Sequence, residues 1–178
     1  ESSANTKDFN KEKEEKIESQ KVIPGKGQKI KLYNSYEHDD DGFSVEGAEE
    51  SKKAMDLRLS KVEKILEAMP KVNLYGSDRA KKLIVSWGST KGAILEALKE
   101  MENKEDYAFL QIKGMWPLDP KISQIINAFK EKILVENNAT AQLEALLKSQ
   151  MTIGFTKKIL KYDGRPFFPE EIKEALND

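Results

Sequence analysis

The stretch Ser86-Trp87-Gly88-Ser89-Thr90-Lys91-Gly92 has the residue types closest to a ligand-binding signature. It follows the apolar run Leu83-Ile84-Val85 and precedes Ile94, Leu95, Leu98 and Met101, which recur at helical spacing. The order is therefore strand, tight glycine turn, helix start, and backbone N–H groups at such a start can hold a phosphate. The stretch lacks both the Lys-Ser/Thr ending of a P-loop and the Gly-x-Gly-x-x-Gly spacing of a dinucleotide site. Ser89 or Thr90 as a helix N-cap is the commoner use of such residues.

Four other groups could carry chemistry or recognition. Glu37, Asp39, Asp41 and Gly42 fall at positions 1, 3, 5 and 6 of an EF-hand loop. Ala48 then stands at position 12, where a bidentate glutamate is required, so a solvated acidic loop is favoured over a calcium site. His38 is the only histidine. It has no visible Ser, Cys or second His partner for general-base work, and a loop hydrogen bond is its plainer role. Glu136-Asn137-Asn138 ends an apolar run and precedes Gln142-Leu143. Asn137 or Asn138 can cap the following helix, while Glu136 and Gln142 can equally hydrogen-bond across to another protein. Catalysis by Glu136 alone is disfavoured, because no second carboxylate is placed with it. Trp116, between Gly114 and Pro117, is either an exposed interface anchor or a lid over the core.

These residues need a scaffold, and the apolar pattern supplies one. Val72–Tyr75, Leu83–Ser86, Tyr107–Ile112, Ile133–Val135 and Phe155–Tyr162 read as strands. Helical spacing marks Ile94 to Met101, Ile122 to Phe129, Leu143 to Leu147, and a short terminal helix opening at Pro169. Alternating short strands and helices predict a mostly parallel sheet covered on both faces. Ligands and partners then meet the loops beyond the carboxyl ends of the strands: Trp87–Thr90, Lys113–Pro120 and Glu136–Thr140. Upstream, Met55, Leu59, Val62, Leu66 and Met69 trace an amphipathic helix ending before Pro70, with its stripe expected to pack on a core. A short strand is expected near residues 30–36. The chain thus divides into a mobile charged arm (1–30), an acidic loop with a connecting amphipathic helix (31–70), and an α/β domain (71–178).

Composition narrows the function classes. Acid and base nearly cancel, giving a net charge of −1 with 34% charged residues, so no bulk attraction to nucleic acid or membrane is expected. No apolar run approaches the length of a membrane span, and no signal peptide is visible. The absence of cysteine removes disulfides, thiolate nucleophiles and cysteine-bound clusters from this chain, which fits a cytoplasmic location. Abundant Lys and Glu without Cys also point to a thermophile.

The ordered motifs resemble the C-terminal part of the alpha subunit of the 2-oxoacid:ferredoxin oxidoreductases. Glu37-His38-Asp39-Asp40-Asp41-Gly42, with Met55, Arg58 and Lys61 after it, is similar to that family's Glu-His-Asp-Glu-x-Gly segment and following helix. Gln111 to Pro120 resembles its Leu-x-Pro-x-Pro connection, and Gly164-Arg165-Pro166-Phe167 its Gly-x-Pro-Phe ending. Glu136-Asn137-Asn138 with Gln142-Leu143 resembles its Glu-x-Asn-x-x-Gly-Gln-Leu motif, except that Ala141 replaces the glycine. The resemblance covers roughly residues 30–176. It implies a three-layer α/β/α domain of the transketolase C-terminal-like type, with a mostly parallel five-stranded mixed sheet and Val72–Tyr75 as its antiparallel strand.

The resemblance further implies CoA-acylating oxidative decarboxylation of a 2-oxoacid, with electrons passed to ferredoxin. Thiamine diphosphate, magnesium, an iron–sulfur cluster and CoA are expected on other domains or subunits, because this chain has no Gly-Asp-Gly motif, cysteine cluster or Tyr-Pro-Ile-Thr-Pro motif. The expected partners are the beta subunit and the remaining alpha-subunit domains, and the candidate interface residues are Trp87, Trp116, Glu136, Asn138 and Gln142. Two other readings stay open: a stand-alone, non-catalytic protein-interaction module, and the matching domain of transketolase or a 2-oxoacid dehydrogenase, which the Glu-His-Asp stretch disfavours.

Overall fold

The computed structural model describes residues 34–39 and 42–178. The expected arm over 1–30 lies outside the described residues, as does most of the strand expected at 30–36. The chain forms two compact units, one ending at Leu57 and the other running from Arg58 to Asp178.

In the first unit, β1 (Glu37–His38) pairs antiparallel with β2 (Ser44–Val45), placing Glu37 opposite Val45 and His38 opposite Ser44. The Asp39 carboxylate accepts the Phe43 N–H at 2.8 Å. Asp39 therefore acts as a turn former, as short acidic side chains commonly do. Among the described residues no group of three His, Cys, Asp or Glu is arranged to hold a metal ion.

Helix α1 (Ala48–Ser60) follows, then α2 (Val62–Ala68). The single amphipathic helix expected here is divided at Lys61, and its stripe is covered only over its second half. Neither helix has a fully buried residue, and Leu59 is 61% exposed. Helical spacing sets which residues share a face, but it does not supply a surface to cover them. The second half of the stripe is half-buried at Val62, Leu66 and Met69, and Met69 lies over Gly114, where a Cβ would collide with its Cε.

The second unit is built on one sheet in the order β3 (Asn73–Tyr75), β5 (Tyr107–Ile112), β4 (Lys82–Trp87), β6 (Glu131–Glu136), β7 (Lys157–Leu160). Strands β4 to β7 are mutually parallel, while β3 runs antiparallel to β5, with Leu74 opposite Leu110. This is the mixed five-stranded sheet with one odd strand that the resemblance implies. After Tyr75 the chain turns through Gly76 at φ 84°, where a Cβ would lie 2.9 Å from the Tyr107 carbonyl oxygen. Only glycine suits both the conformation and the space.

Period-two alternation sends successive strand residues to opposite faces. On one face Leu83, Val85, Leu110 and Leu134 pack against Ile122 and Ile126 of α4 (Lys121–Asn127) and Leu143 and Leu147 of α5 (Gln142–Met151). On the other, Ile84, Phe109, Ile133 and Val135 pack against Ile94 and Ala97 of α3 (Lys91–Lys99) and Ile172 and Leu176 of α6 (Pro169–Asn177). The result is a three-layer α/β/α domain. Each such fully buried aliphatic side chain contributes about 1.5–3 kcal/mol, so the sheet's two apolar faces dominate its stability.

Two ion-paired carboxylates close the periphery. Glu171 accepts the Lys161 ammonium at 2.5 and 2.6 Å and the Phe168 N–H at 2.8 Å, which opens α6. Lys161 is only 9% exposed and lies 5.3 Å from the Phe168 ring centroid. Glu144 pairs with Lys158 and accepts the Phe155 N–H. The Lys161 bond, then the Phe168 N–H, holds Glu171 below the ordinary carboxylate range. Lys158 lowers Glu144 in the same way, against an opposing push from burial.

A folded-state carboxyl pKa below the unfolded value contributes stability that is present above the unfolded value and lost as pH falls through the folded one. The thermal midpoint should therefore decline as pH drops below about 4.5, and Glu171→Gln should flatten that decline; an unchanged slope in the variant argues against this role. Thr152, exposed at the end of α5 with φ 56°, holds a left-handed conformation that glycine adopts freely. Thr152→Gly should raise unfolding free energy by about 1 kcal/mol in urea titration.

Candidate functional site

The carboxyl ends of β4 and β6 form the domain's most distinctive site. From β4 the chain goes through α3 to β5 on one side, whereas β6 lies on the other. Adjacent strands whose connections depart in opposite directions leave a crevice at their carboxyl ends, the usual ligand position in open α/β sheets. A cavity of about 180 Å³ occupies it, lined by Trp87, Gly88, Ser89, Thr90, Glu136 and Asn137.

The walls are held from within. Gly88 turns the chain at φ 65° and opens a 3-10 turn, Gly88–Thr90, that leads into α3. The buried Ser86 hydroxyl donates to the Val135 carbonyl at 2.5 Å and also contacts the Thr90 hydroxyl, which donates to the Trp87 carbonyl at 2.9 Å. Neither Ser89 nor Thr90 caps α3. The expected cap is replaced by this hydroxyl pair, which ties the turn to β6.

Glu136 is 1% exposed, and both of its carboxylate oxygens lie 3.2 Å from the Leu143 N–H. It thereby supplies the side-chain acceptor at the start of α5 that was expected from Asn137 or Asn138. Asn138 instead accepts the N–H and hydroxyl of Thr140, and Asn137 donates to the Arg165 carbonyl at 3.2 Å. Ala141, at the family's glycine position, sits at φ 51°, ψ 53°. That left-handed turn aims the first free N–H groups of α5 back at Glu136.

Around this crevice the rim is aromatic. Trp87 is 41% exposed and Trp116, beyond the end of β5, is 64% exposed, so it is not a core lid. Gln142 is exposed at the first turn of α5, and Asn138 is half-buried. The structure thus brings Trp87 and Glu136 to one cavity and leaves Trp116, Asn138 and Gln142 on loops at the same end of the sheet. Sequence reasoning passed over Tyr162 and Phe168, which are exposed just beyond β7. Neither has a sequence signal of its own: Tyr162 closes an expected strand and Phe168 precedes an expected helix, and only the burial of their neighbours sets them apart.

A three-layer α/β/α domain with its crevice between β4 and β6 is the class that this geometry defines. The chain is 36% identical over 149 residues to the 2-oxoacid:ferredoxin oxidoreductase subunit alpha of Saccharolobus solfataricus, covering 81% of this chain and 24% of that protein. It is 32% identical over 155 residues to 2-oxoacid:ferredoxin oxidoreductase 1, subunit alpha, of Sulfurisphaera tokodaii, covering 84% and 24%. A solved 2-oxoglutarate:ferredoxin oxidoreductase from Magnetococcus marinus superposes with a TM-score of 0.70 at 21% identity, over 88% of this chain and 28% of that one. No protein-family model matches. The chain belongs to the alpha subunits of the 2-oxoacid:ferredoxin oxidoreductases and corresponds to their C-terminal part. It spans about a quarter of the length of these relatives. Its composition, rich in Lys and Glu, accords with their archaeal sources.

Removal of the Glu136 acceptor should be costly. Glu136→Ala leaves a buried N–H unpaired and should lower unfolding free energy by about 2 kcal/mol. Glu136→Gln keeps an acceptor in place and should cost less than half of that. Urea titration of both variants checks the difference, and equal losses would contradict the capping role.

Proposed function

We propose that this chain serves assembly in a 2-oxoacid:ferredoxin oxidoreductase, presenting the carboxyl rim of its sheet to a thiamine-binding beta subunit and to the remaining alpha-subunit domains. The whole enzyme decarboxylates a 2-oxoacid oxidatively, forms an acyl-CoA and passes electrons to ferredoxin in the cytoplasm. Thiamine diphosphate with magnesium, the iron–sulfur cluster and the CoA site belong to the other components. Residues 71–178 act as the docking domain and residues 31–70 as its connector. Trp87, Trp116, Asn138 and Gln142 make the contact, and Glu136 shapes it from beneath.

The identity to alpha subunits over four-fifths of the chain carries this reading. The exposed tryptophans support the location, since aromatic anchors at a polar rim are the residues on which protein contacts concentrate their energy. The chemistry of the described residues supports the division of labour: the polar side chains of the crevice are hydroxyls, the Asn137 amide and one carboxylate that caps α5, with no cysteine in the chain.

Co-expression with a beta subunit of the same enzyme, followed by size-exclusion chromatography, tests the proposal. The expected result is a joint peak, weakened at least tenfold in apparent affinity by Trp87→Ala with Trp116→Ala. A beta subunit that elutes separately under all conditions would leave the stand-alone interaction module as the better reading.

A further inference from the structure

The cavity between β4 and β6 has a chemistry that the assembly role does not by itself specify. Its two functional walls are a partly exposed indole, Trp87, and a buried carboxylate, Glu136. An ionised carboxylate offers about four acceptor positions. Here one backbone N–H, that of Leu143, approaches both oxygens at 3.2 Å. Among the described residues no lysine or arginine is paired with Glu136. Taking a carboxylate out of water is costly unless charge or several donors meet it. The N-terminal end of α5 offsets part of that cost. The rest points to a donor arriving from outside, through the cavity that Glu136 lines.

The size of the cavity limits that donor. About 180 Å³ is below the range of about 300–1,000 Å³ typical of small-molecule sites, but it suits a single inserted side chain. The crevice also sits at the switch point of the strand order, where this fold class places its ligands. A guanidinium meets both walls at once: its planar fork pairs with a carboxylate in bidentate fashion, and its face stacks on an indole. A lysine ammonium makes neither the fork nor the stack.

We infer that the Trp87–Glu136 cavity is a receptor for one arginine side chain of a neighbouring polypeptide, with the guanidinium bonded to the Glu136 carboxylate and stacked on Trp87. This deepens the docking role proposed above and rests on it for the source of the arginine. The site itself can be tested without that source.

The chain has two tryptophans, so Trp116→Phe leaves Trp87 as the sole reporter. Titration of that protein with Nα-acetyl-L-arginine methylamide at constant ionic strength should give a saturable change in Trp87 fluorescence. The uncharged isostere, the citrulline derivative, should bind at least tenfold more weakly. Adding Glu136→Gln should abolish the preference for arginine. In the unsubstituted chain the Leu143 amide resonance should shift on titration, which keeps the test valid if Glu136→Gln does not fold. Equal responses to the arginine and citrulline derivatives would overturn the inference, as would a stationary Leu143 resonance up to about 100 mM probe, where even weak sites fill. The arginine derivative should also dissociate a complex with the beta subunit. A complex that forms but is insensitive to both the derivative and Glu136→Gln refutes the arginine site and leaves the docking role standing. A cavity that binds the derivative in a chain that meets no subunit does the reverse.

Discussion

The sheet is covered by helices on both faces, and the rest of the domain follows from that constraint. A parallel strand buried on both sides has no polar face to offer, so Leu83 to Val85 and Ile133 to Val135 are apolar without interruption. Chemistry and recognition are thereby confined to the strand ends. The amino ends are occupied by short returns from the helices. The carboxyl ends carry Trp87, Trp116, Glu136 and Tyr162, which the core has no use for as packing residues. Confinement to one rim explains how a sequence with little net charge and no catalytic motif still concentrates four unusual side chains at one end of the fold.

Within that rim, polar satisfaction sets the shape. A buried N–H or carbonyl without a partner is expensive, and nearly every polar group near the crevice is spoken for by an internal partner. Ser86 bonds to the Val135 carbonyl, Thr90 to that of Trp87, and Asn137 to that of Arg165. These bonds link β4, β6 and the Gly-Arg-Pro-Phe ending into one frame, so the backbone of Trp87 and the Glu136 carboxylate are held relative to each other within the domain. A preformed contact surface loses less conformational entropy on association than one that must be ordered. Glu136 is the exception in this frame, since its acceptor capacity exceeds what the chain supplies.

The strands were legible in sequence because burial on both faces leaves an unmistakable apolar run. Tyr107–Ile112 matches its observed bounds, and Asn73–Tyr75 is the antiparallel strand that the resemblance implies. Helix capping was less legible. Asn137 and Asn138 stand where a local cap would, yet the α5 acceptor is Glu136, set by the strand end that places its carboxylate beside Leu143. Such a cap depends on tertiary position and has no short-range signature. The stripe from Met55 to Met69 shows the converse. Its spacing foretold helix correctly, but helical spacing contains no information about whether a covering surface exists. The aromatic rim was only half visible for the same reason: type and loop position singled out the tryptophans, whereas Tyr162 and Phe168 needed the burial of their neighbours to stand out.

Ala141 shows how this chain departs from its family without losing the site. A left-handed residue with a Cβ costs about 1–2 kcal/mol relative to glycine. Alanine recovers part of this through its methyl group, since it is 5% exposed and joins the α4–α5 core, and one buried methyl is worth about 0.8 kcal/mol. Burial thus offsets part of the strain, and the turn that aims α5 at Glu136 survives the substitution at a modest net cost. What glycine offers at this position is therefore backbone conformation rather than close approach to a ligand. The cavity is bounded by Gly88 and Asn137, not by residue 141, and the exchange leaves its walls untouched.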